Sequence, residues 1–587
     1  MKTRLIPAAF LAAALSMSLA ACGQPTQSSP NNFAESGGAG NSDNVLRIVG
    51  TEDHSQIDPV SYALVATDSI GRAISRQLIS YEASNDPAVN VVPQPDLAEA
   101  LPTISEDGLT YTFKIRANAM WDSATPRAIT SKDIANGLKK ICNPIQPAFS
   151  RDYFYSIKGF QDFCKGYDTE NASVADIKKH ILEDSVAGIE TPDDSTLIIT
   201  LTEPTADFIY VLSLPNAAPV AEEALDYEPN SPDYVANYIS SGPYTVEEHA
   251  VDQHLYLKRS AGWVAESDPI RKANVDRIEL TYGATSEAAM QQVQSGDADM
   301  LYGMNVPPAT YTQLAAAGDE GLVAWSGSNT YFLWINTLTD NNNGVLKQKE
   351  VRQALQYALN KASYVQQLGG PDVAEPAIGI FGSGVVGYSP LDQYPTDGNK
   401  GDPEKTKSLL EAAGVTGLKL KLAYRSDNTS ESAIAQIIQQ DFQAAGVEIE
   451  LVPKPGSDFY GNFMMVPENA TGGEWDLAYC GWSPDWAGGA ARSVYQPQFT
   501  YTGEHQGYNY TDYQSEKAYD LMKQAQATTD VAESTKLWQQ VNDAVMEDPP
   551  VIPMLSRKIT TYHSARVGNF LMYALGEQGD WTNVTVS

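Results

Sequence analysis

The stretch that decides the fold is LKLKLAYRSDNTSESAIAQIIQQDFQAAGVEIELV, residues 418–452. Its pattern predicts a strand over Leu418–Tyr424, a helix over Ser430–Ala445 and a second strand over Val447–Val452. A further helical pattern, Pro403–Ala413, comes directly before it. Strands that alternate with helices in this way are typical of a βαβ-type unit, so we expect an α/β fold.

Working outward, the rest of the chain also alternates between strand and helix patterns. Leu109–Arg116 alternates apolar and polar residues, which predicts a half-buried strand, and Thr130–Asp133 resembles a helix start. Helical spacing recurs in three later stretches, before an apolar strand at Val551–Leu555: Val351–Leu368, Gln514–Ala527 and Val531–Met546. Because 587 residues are too many for one hydrophobic core, we expect two or three lobes.

The charge of the chain limits its partners. The formal net charge is −34 at pH 7, which argues against binding to nucleic acid or to an anionic membrane surface. Such an acidic surface is compatible with attraction of cationic ligands, although it also simply keeps a protein soluble.

The N-terminus has the parts of a secretory signal. Lys2 and Arg4 precede an apolar run from Leu5 to about Leu19, and Leu19-Ala20-Ala21-Cys22 follows. The small residues before Cys22 resemble a bacterial lipobox, in which the Cys takes up lipid. We therefore expect a signal peptide over residues 1–21, lipidation of Cys22 and a flexible linker over residues 22–43. The alternative is a plain secretory signal with an incidental Cys.

Three further cysteines lie in the body of the chain. Cys142 and Cys164 are 22 residues apart beside turn-forming residues, and in an exported protein they predict a disulfide. Metal binding is less favoured, because no His or second Cys stands at ligand spacing, and we expect no metal and no cofactor. Cys480 lies in an apolar, strand-like run, so a buried free thiol is expected there.

The motifs of several enzyme classes are missing from the sequence. It contains no H-E-x-x-H, no G-x-S-x-G elbow and no Walker loop. His249 and His254 give only a weak metal signal. Gly382–Gly387 matches G-x-G-x-x-G formally, but Pro390 and Pro395 follow it, so a loop is expected instead of a nucleotide site. We expect no enzymatic activity, and a secreted hydrolase with paired carboxylates is the least favoured alternative.

A series of local patterns resembles the bacterial extracellular solute-binding proteins that serve oligopeptide, dipeptide and nickel ABC importers. The patterns run in the family's order from about residue 46 to 555. They are Leu46–Glu52, Ile57–Pro59, Pro95–Glu99, Asp107–Arg116, Trp121–Asp122, Ile129–Ile134, Ser241–Tyr244, Val293–Asp299, Val351–Lys361 and Asp548–Pro553.

This resemblance implies a periplasmic-binding-protein-like clamshell, in which two lobes and a hinge enclose the ligand. The expected divisions are lobe I over 44–79, 187–285 and 546–587, an inserted subdomain over 80–186 and lobe II over 286–545. It also implies an extracytoplasmic protein, anchored by its lipid to the outer face of the cell membrane. We expect it to be a monomer that delivers oligopeptides to the permease of an ABC importer.

The resemblance also implies a ligand site around Trp482-Ser483-Pro484-Asp485-Trp486. In peptide-binding members a similar segment supplies an Asp that pairs with the peptide's α-ammonium, and Asp485 matches it. Backbone groups of Gly481 and Ser483 would pair with the peptide main chain, and Ala63 to Val65 would offer the opposite edge. Trp482, Trp486 and Trp334 are candidate pocket walls. The alternatives are a turn role for Asp485 after Pro484 and a core-strand role for Trp334.

One departure from the family bears on the ligand. Tyr479 stands where some oligopeptide binders carry an Arg that meets the ligand's C-terminal carboxylate, and a phenol does not supply that charge. The ligand's length and peptidic nature therefore stay open. The alternative ligands within the same fold are an oligosaccharide, which would stack on Trp482 and Trp486, a nickel chelate or another small molecule.

Overall fold

The computed structural model describes residues 44–53, 56–62, 66–148, 150–167, 172–383, 385, 387–488, 490–501, 507–576 and 578–587. The expected signal peptide, Cys22, the linker and residues 63–65 lie outside these ranges. Within the described ranges, no helix has both the length and the apolar character needed to cross a membrane.

A five-stranded sheet forms the centre of the first lobe. Val45–Gly50 runs parallel to both of its neighbours, Arg277–Thr281 and Met300–Tyr302. The other strands are antiparallel. The strand order is Met300–Tyr302, Val45–Gly50, Arg277–Thr281, His254–Arg259 and Tyr244–Ala250. Leu46, Ile48 and Ile278 are buried, so the sheet provides one side of a core.

A four-stranded antiparallel sheet lies beside it in the same hydrophobic cluster. Its order is Thr103–Ile104, Thr110–Lys114, Thr196–Thr200 and Ile189–Asp193. Because Thr196–Thr200 pairs with Thr110–Lys114, the inserted region does not end at residue 186, and that expected boundary is wrong. The hairpin of residues 189–200 returns to complete the inserted sheet.

The helices of the first lobe include the one predicted from Thr130–Asp133. Thr130 and Asp133 form a capping box at the start of Ser131–Lys140. The helices are Ala66–Ile74, Pro87–Asn90, Ser131–Lys140, Phe160–Lys165, Val174–Glu183, Phe208–Val211, Pro232–Ala236 and Ser286–Ser295. Two small sheets pair Ile79–Tyr81 with Pro93–Pro95 and Val567–Gly568 with Thr585–Val586.

A six-stranded mixed sheet forms the centre of the second lobe. Its order is Ala374–Pro376, Val551–Tyr562, Leu322–Ile335, Leu477–Trp482, Lys419–Arg425 and Glu448–Lys454. Lys419–Arg425 and Glu448–Lys454 are parallel and are joined by the helix Thr429–Ala444, which confirms the predicted βαβ unit. Val551–Tyr562 pairs with Leu322–Ile335, so this strand belongs to the second lobe and not to lobe I as expected.

The helices of the second lobe differ from the sequence prediction at one place. The helical spacing of Val351–Leu368 is divided between two helices, Lys349–Leu355 and Lys361–Gln367. The division arises because Asn360 caps the second helix through its side chain. The other helices are Pro308–Ala317, Pro403–Ala412, Thr429–Ala444, Gly456–Asp458, Pro467–Thr471, Ala491–Phe499, Glu516–Ala527 and Val531–Glu547, with a π-helix at Phe459–Met464.

Three large hydrophobic clusters form the cores. One fills most of the first lobe, and two others cover opposite faces of the six-stranded sheet, one of which also includes Val49, Met290 and Leu301 of the first lobe. Trp486 crosses between the lobes in the other direction. It follows a strand of the second lobe, yet it is buried in the cluster of the first lobe. The segment after residue 482 is therefore where the second lobe reaches into the first.

Candidate ligand-binding site

The strand Leu477–Trp482 leads directly into the candidate site. It pairs along its length with Leu322–Ile335. On its other side, the pairing with Lys419–Arg425 involves only Leu477 and Ala478. Among the described strands, none pairs with Tyr479–Gly481 on that side, so this edge keeps backbone groups available for an added strand.

The carboxylate of Asp485 lies where the two lobes meet. The hydroxyl of Tyr153, from the inserted region of the first lobe, donates a hydrogen bond to Asp485 Oδ2. The Asp485 N–H donates to Ser493 Oγ at 3.0 Å. Asp485 is half-buried, and desolvation raises the pKa of its carboxyl group to about 7, while the hydrogen bond from Tyr153 opposes that rise. The carboxylate is therefore poised to gain or lose its charge near neutral pH.

Ser493 holds this arrangement together from the start of the helix Ala491–Phe499. Its carbonyl oxygen accepts a hydrogen bond from Trp482 Nε1 at 3.1 Å and lies 3.3 Å from the Tyr153 hydroxyl, whose proton is donated to Asp485. Its own hydroxyl donates to the Ala490 carbonyl at 2.7 Å. Ser493 is fully buried, so it fixes both the indole of Trp482 and the backbone of Asp485.

A cationic and aromatic cluster covers the other side of Tyr153. The ring of Trp486 meets that of Tyr153 edge to face at 4.9 Å between centroids. The Arg492 guanidinium lies 5.3 Å from both ring centroids, and its Nε is 2.8 Å from Asp207 Oδ2. Arg492 is thus neutralised by a carboxylate from the first lobe, and the pair joins the two lobes.

The predicted aromatic walls have different environments. Trp482 is half-buried, and its ring lies edge to face with Tyr508 at 4.9 Å. Trp486 is buried at 1% exposure in the first core. Trp334 is equally buried, stacks on Phe499 at 5.6 Å and occupies a core strand, which is the alternative role considered for it.

Tyr479 and Gly481 face a second group of side chains. The Tyr479 ring stacks on Tyr331 at 5.3 Å and is buried. Gly481 lies opposite Tyr331, and a Cβ added there would come within 2.8 Å of Asn329 Oδ1. A side chain at position 481 would therefore require the Asn329 side chain to move, and glycine allows close approach of the neighbouring strand without that change.

Other sequence signals lie away from this arrangement. Cys142 and Cys164 are joined in a disulfide with Cα atoms 5.1 Å apart, and Cys480 is a buried free thiol. His249 Nε2 contacts Asp53 Oδ2 at 3.2 Å, whereas His254 stacks on Tyr256. Over the described part of the chain, no group of three or more His, Cys, Asp or Glu side chains is arranged to hold a metal ion.

The family of bacterial extracellular solute-binding proteins, family 5 (middle region), matches residues 92–491. This match spans more than half of the chain and includes Asp485. The chain belongs to this solute-binding family. Its members bind solutes and are not enzymes, which confirms the expectation from the sequence.

Relatives of this family 5 protein cover nearly its whole length. The dipeptide-binding protein of Escherichia coli (strain K12) is 23% identical over 529 residues, which cover 86% of this chain and 90% of the relative. The solved structure of clavulanic acid biosynthesis oligopeptide binding protein 2 has a TM-score of 0.81 and 24% identity, and covers 92% of this chain and 95% of that one. The structure of AgaA from A. tumefaciens R10, in complex with agropinic acid, has a TM-score of 0.71 and 21% identity. It covers 92% of this chain and 99% of that one. The two structures confirm the two-lobed α/β fold.

The structure brings together most of the residues that the family 5 resemblance predicts for the site. Asp485, Trp482, Gly481, Ser483 and Tyr479 all lie on or directly after one strand of the second lobe. Ala63 and Val65 lie outside the described residues. Tyr153 and Ser493 were not predicted. Tyr153 is 332 residues from Asp485, and no local pattern marks it.

Proposed function

We propose that this protein captures oligopeptides between its two lobes and delivers them to the permease of an ABC importer. The observation that carries the proposal is the carboxylate of Asp485, half-buried at the junction of the lobes and bonded to Tyr153 of the first lobe. A carboxylate at that place is suited to pair with the α-ammonium of a peptide.

Pairing of the peptide's α-ammonium group with Asp485 has a physical reason. An ammonium group that leaves water is destabilised unless it is paired and hydrogen-bonded. A fixed carboxylate provides charge-assisted hydrogen bonds and sets the position of the peptide's first residue. The Tyr153 hydroxyl and the Asp485 backbone N–H are both satisfied by neighbouring groups, so the carboxylate geometry is set before ligand arrives.

The peptide backbone would add as a strand beside Tyr479–Trp482. Among the described residues, the ladder with Lys419–Arg425 stops at Ala478, which leaves the edge near Gly481 and Ser483 for a peptide main chain. Strand addition recognises any peptide backbone, and each hydrogen bond contributes about 0.5–1.5 kcal/mol. Several such bonds with the ammonium pair suffice for affinities on the order of micromolar. Ala63 and Val65 are proposed for the opposite edge.

The protein is proposed to work outside the cytoplasm, as a monomer held to the outer face of the membrane by lipid on Cys22. The basis is the signal-like N-terminus, the small residues before Cys22 and the polar segment after it. Replacement of Cys22 by Ser should abolish incorporation of labelled fatty acid. Incorporation that persists in that variant would contradict lipidation at Cys22.

A second candidate is an oligosaccharide or another non-peptide solute bound in the same place. It is favoured by the half-buried indole of Trp482, which together with Tyr508 presents an aromatic surface beside the site. A sugar would stack on this surface and would not need the charge of Asp485.

Thermal unfolding of the purified chain separates these candidates. A mixture of tripeptides should raise the melting temperature, because a ligand that binds only the folded state stabilises it. Oligosaccharides and nickel chelates, tested separately, should have no effect. Stabilisation by either of these without stabilisation by peptides would contradict the proposal. Mass spectrometry of molecules released from the purified protein gives an independent identification.

A further inference from the structure

A buried ion pair joins the two lobes next to the candidate site. Arg492 Nε lies 2.8 Å from Asp207 Oδ2, and the two side chains are 2% and 12% exposed. Arg492 belongs to a helix whose residues Val494 and Phe499 pack in a hydrophobic cluster of the second lobe. Asp207 directly precedes Phe208, which is buried in the cluster of the first lobe. The two charges therefore come from separate clusters and meet where the lobes are in contact.

Both charges lose their water where the lobes meet. A lone guanidinium or carboxylate buried to this degree is unfavourable, and the pair offsets that cost. The Arg492 guanidinium also lies 5.3 Å from the ring centroids of Tyr153 and Trp486, and aromatic faces attract a cation. When the lobes separate, water reaches both charges again. The pair and the cost of burying it therefore belong to the closed form alone.

Contacts on both sides of Asp207 also cross between the lobes. The Ala206 N–H donates a hydrogen bond to the Gln526 carbonyl oxygen at 3.1 Å. Gly488 lies against Tyr210, where an added Cβ would come within 2.8 Å of the ring. Residues 206–210 thus form a surface of the first lobe that receives the second lobe, and the ion pair lies within it.

The hydrogen bonding of this ion pair is incomplete. Arg492 Nη2 and Asp207 Oδ1 are buried and have no hydrogen-bond partner in the described structure. A bidentate pair between an arginine and a carboxylate would use a second nitrogen and the second oxygen as well. A buried pair with unsatisfied atoms gains little over the same two charges in water. Such a pair suits a closed form that has to open again to release its ligand.

We propose that Arg492 and Asp207 form a latch that sets the balance between open and closed lobes, and thereby the ligand affinity, without touching the ligand. Loss of either charge alone leaves the other charge buried and unpaired in the closed form, which shifts the population towards the open form. The apparent affinity falls in proportion to the fraction of protein that is able to close on the ligand. The effect on peptide affinity rests on the proposed function, whereas the effect on the shape of the protein does not.

The test combines calorimetric titration with a tripeptide mixture and small-angle X-ray scattering without ligand. Asp207→Leu and Arg492→Met each remove one charge and keep a side chain of similar size. Each single variant should weaken peptide binding by about tenfold or more and should have a larger radius of gyration than the unaltered chain. The double variant contains no lone charge. Its affinity should therefore return to within about threefold of that of the unaltered chain, with the original radius of gyration.

Arg352→Met is the matched control. Arg352 is also buried, at 6% exposure, and its guanidinium pairs with Asp548 inside the second lobe. The same substitution therefore removes a buried cation that does not join the lobes. This variant should unfold at a lower temperature and should keep both the peptide affinity and the radius of gyration of the unaltered chain.

Unchanged affinity or an unchanged radius of gyration in both single variants would overturn the latch. A double variant that binds as weakly as the weaker single variant would also overturn it, because the loss would then come from the altered side chains and not from a lone charge. If a single variant does not fold, Asp207→Asn, which keeps the shape of the side chain, takes its place with the same expectation. If no peptide binds the unaltered chain, the peptide function fails, and the scattering comparison still decides whether the latch exists.

Discussion

The hydroxyl of Tyr153 donates a hydrogen bond to the carboxylate of Asp485, although the two residues are 332 positions apart. One residue belongs to the inserted region of the first lobe and the other to the segment that leaves the second lobe. The bond therefore joins the two lobes at the acid that we propose as the ligand's anchor. Its strength depends on whether Asp485 is charged, which makes the site sensitive to pH.

Replacing Asp485 by Asn should weaken peptide binding by about tenfold or more, because the amide keeps the shape of the side chain and removes its charge. Calorimetric titration measures the change. Glu474→Gln is the control, since Glu474 is exposed and precedes the same strand. Equal losses of affinity in the two variants would show that net charge matters and that Asp485 has no specific role.

Peptide affinity should fall as the pH drops below 7. The pKa of Asp485 is raised to about 7, so the carboxyl group is charged above that pH and becomes neutral below it. A neutral carboxyl group does not pair with an ammonium, and the affinity should decrease roughly tenfold per pH unit between 7 and 5. Titrations at pH 5, 6 and 7.5 measure this profile. Asp485→Asn should bind weakly with a flat profile, and an equally steep profile in that variant would assign the titration to another group.

Removing the Tyr153 hydroxyl should move this pH profile upward. The hydrogen bond from Tyr153 lowers the pKa of Asp485, so Tyr153→Phe should raise that pKa above 7 and weaken binding several-fold at pH 7. The phenyl ring keeps its contact with Trp486, which preserves packing. Tyr155→Phe, on the same short 3₁₀-helix, Arg151–Ser156, is the control. A loss of affinity with an unmoved profile would indicate a packing role only.

The disulfide should stabilise the segment that carries Tyr153. Cys142 and Cys164 enclose that residue with a separation of 22 positions. Closing a loop of this length stabilises a protein by about 3 kcal/mol, so the double Cys→Ser variant should lose roughly that free energy of unfolding. Urea denaturation with and without reductant measures the loss. The same stability for the variant and the oxidised protein would rule out this role.

The sequence predicted local elements better than their assembly. The βαβ unit of residues 418–452 was predicted correctly, because each strand and the helix between them has its own spacing of apolar residues. The boundary at residue 186 was wrong because the hairpin of residues 189–200 returns to pair with Thr110–Lys114, a long-range contact that no local pattern encodes. The last long strand was predicted only to Leu555, and it extends to Tyr562.

The candidate site was predictable only where it lies within one stretch of chain. Asp485 and Gly481 follow from the resemblance of residues 481–485 to known members. Tyr153 and Ser493 come to the region of Asp485 from separate elements. Their roles depend on how deeply they are buried and on which groups they hydrogen-bond. Both are properties of the folded chain, and the local sequence does not encode them.

The central claim is that the ligand's free amine pairs with Asp485, and N-acetylation of the ligand tests it most directly. Calorimetry on the unaltered protein at pH 7.5 would compare a tripeptide mixture with the same mixture acetylated at its N-terminus. The acetylated mixture should bind about tenfold more weakly or worse, because acetylation removes the ammonium charge. Equal affinity for the two mixtures would contradict the claim.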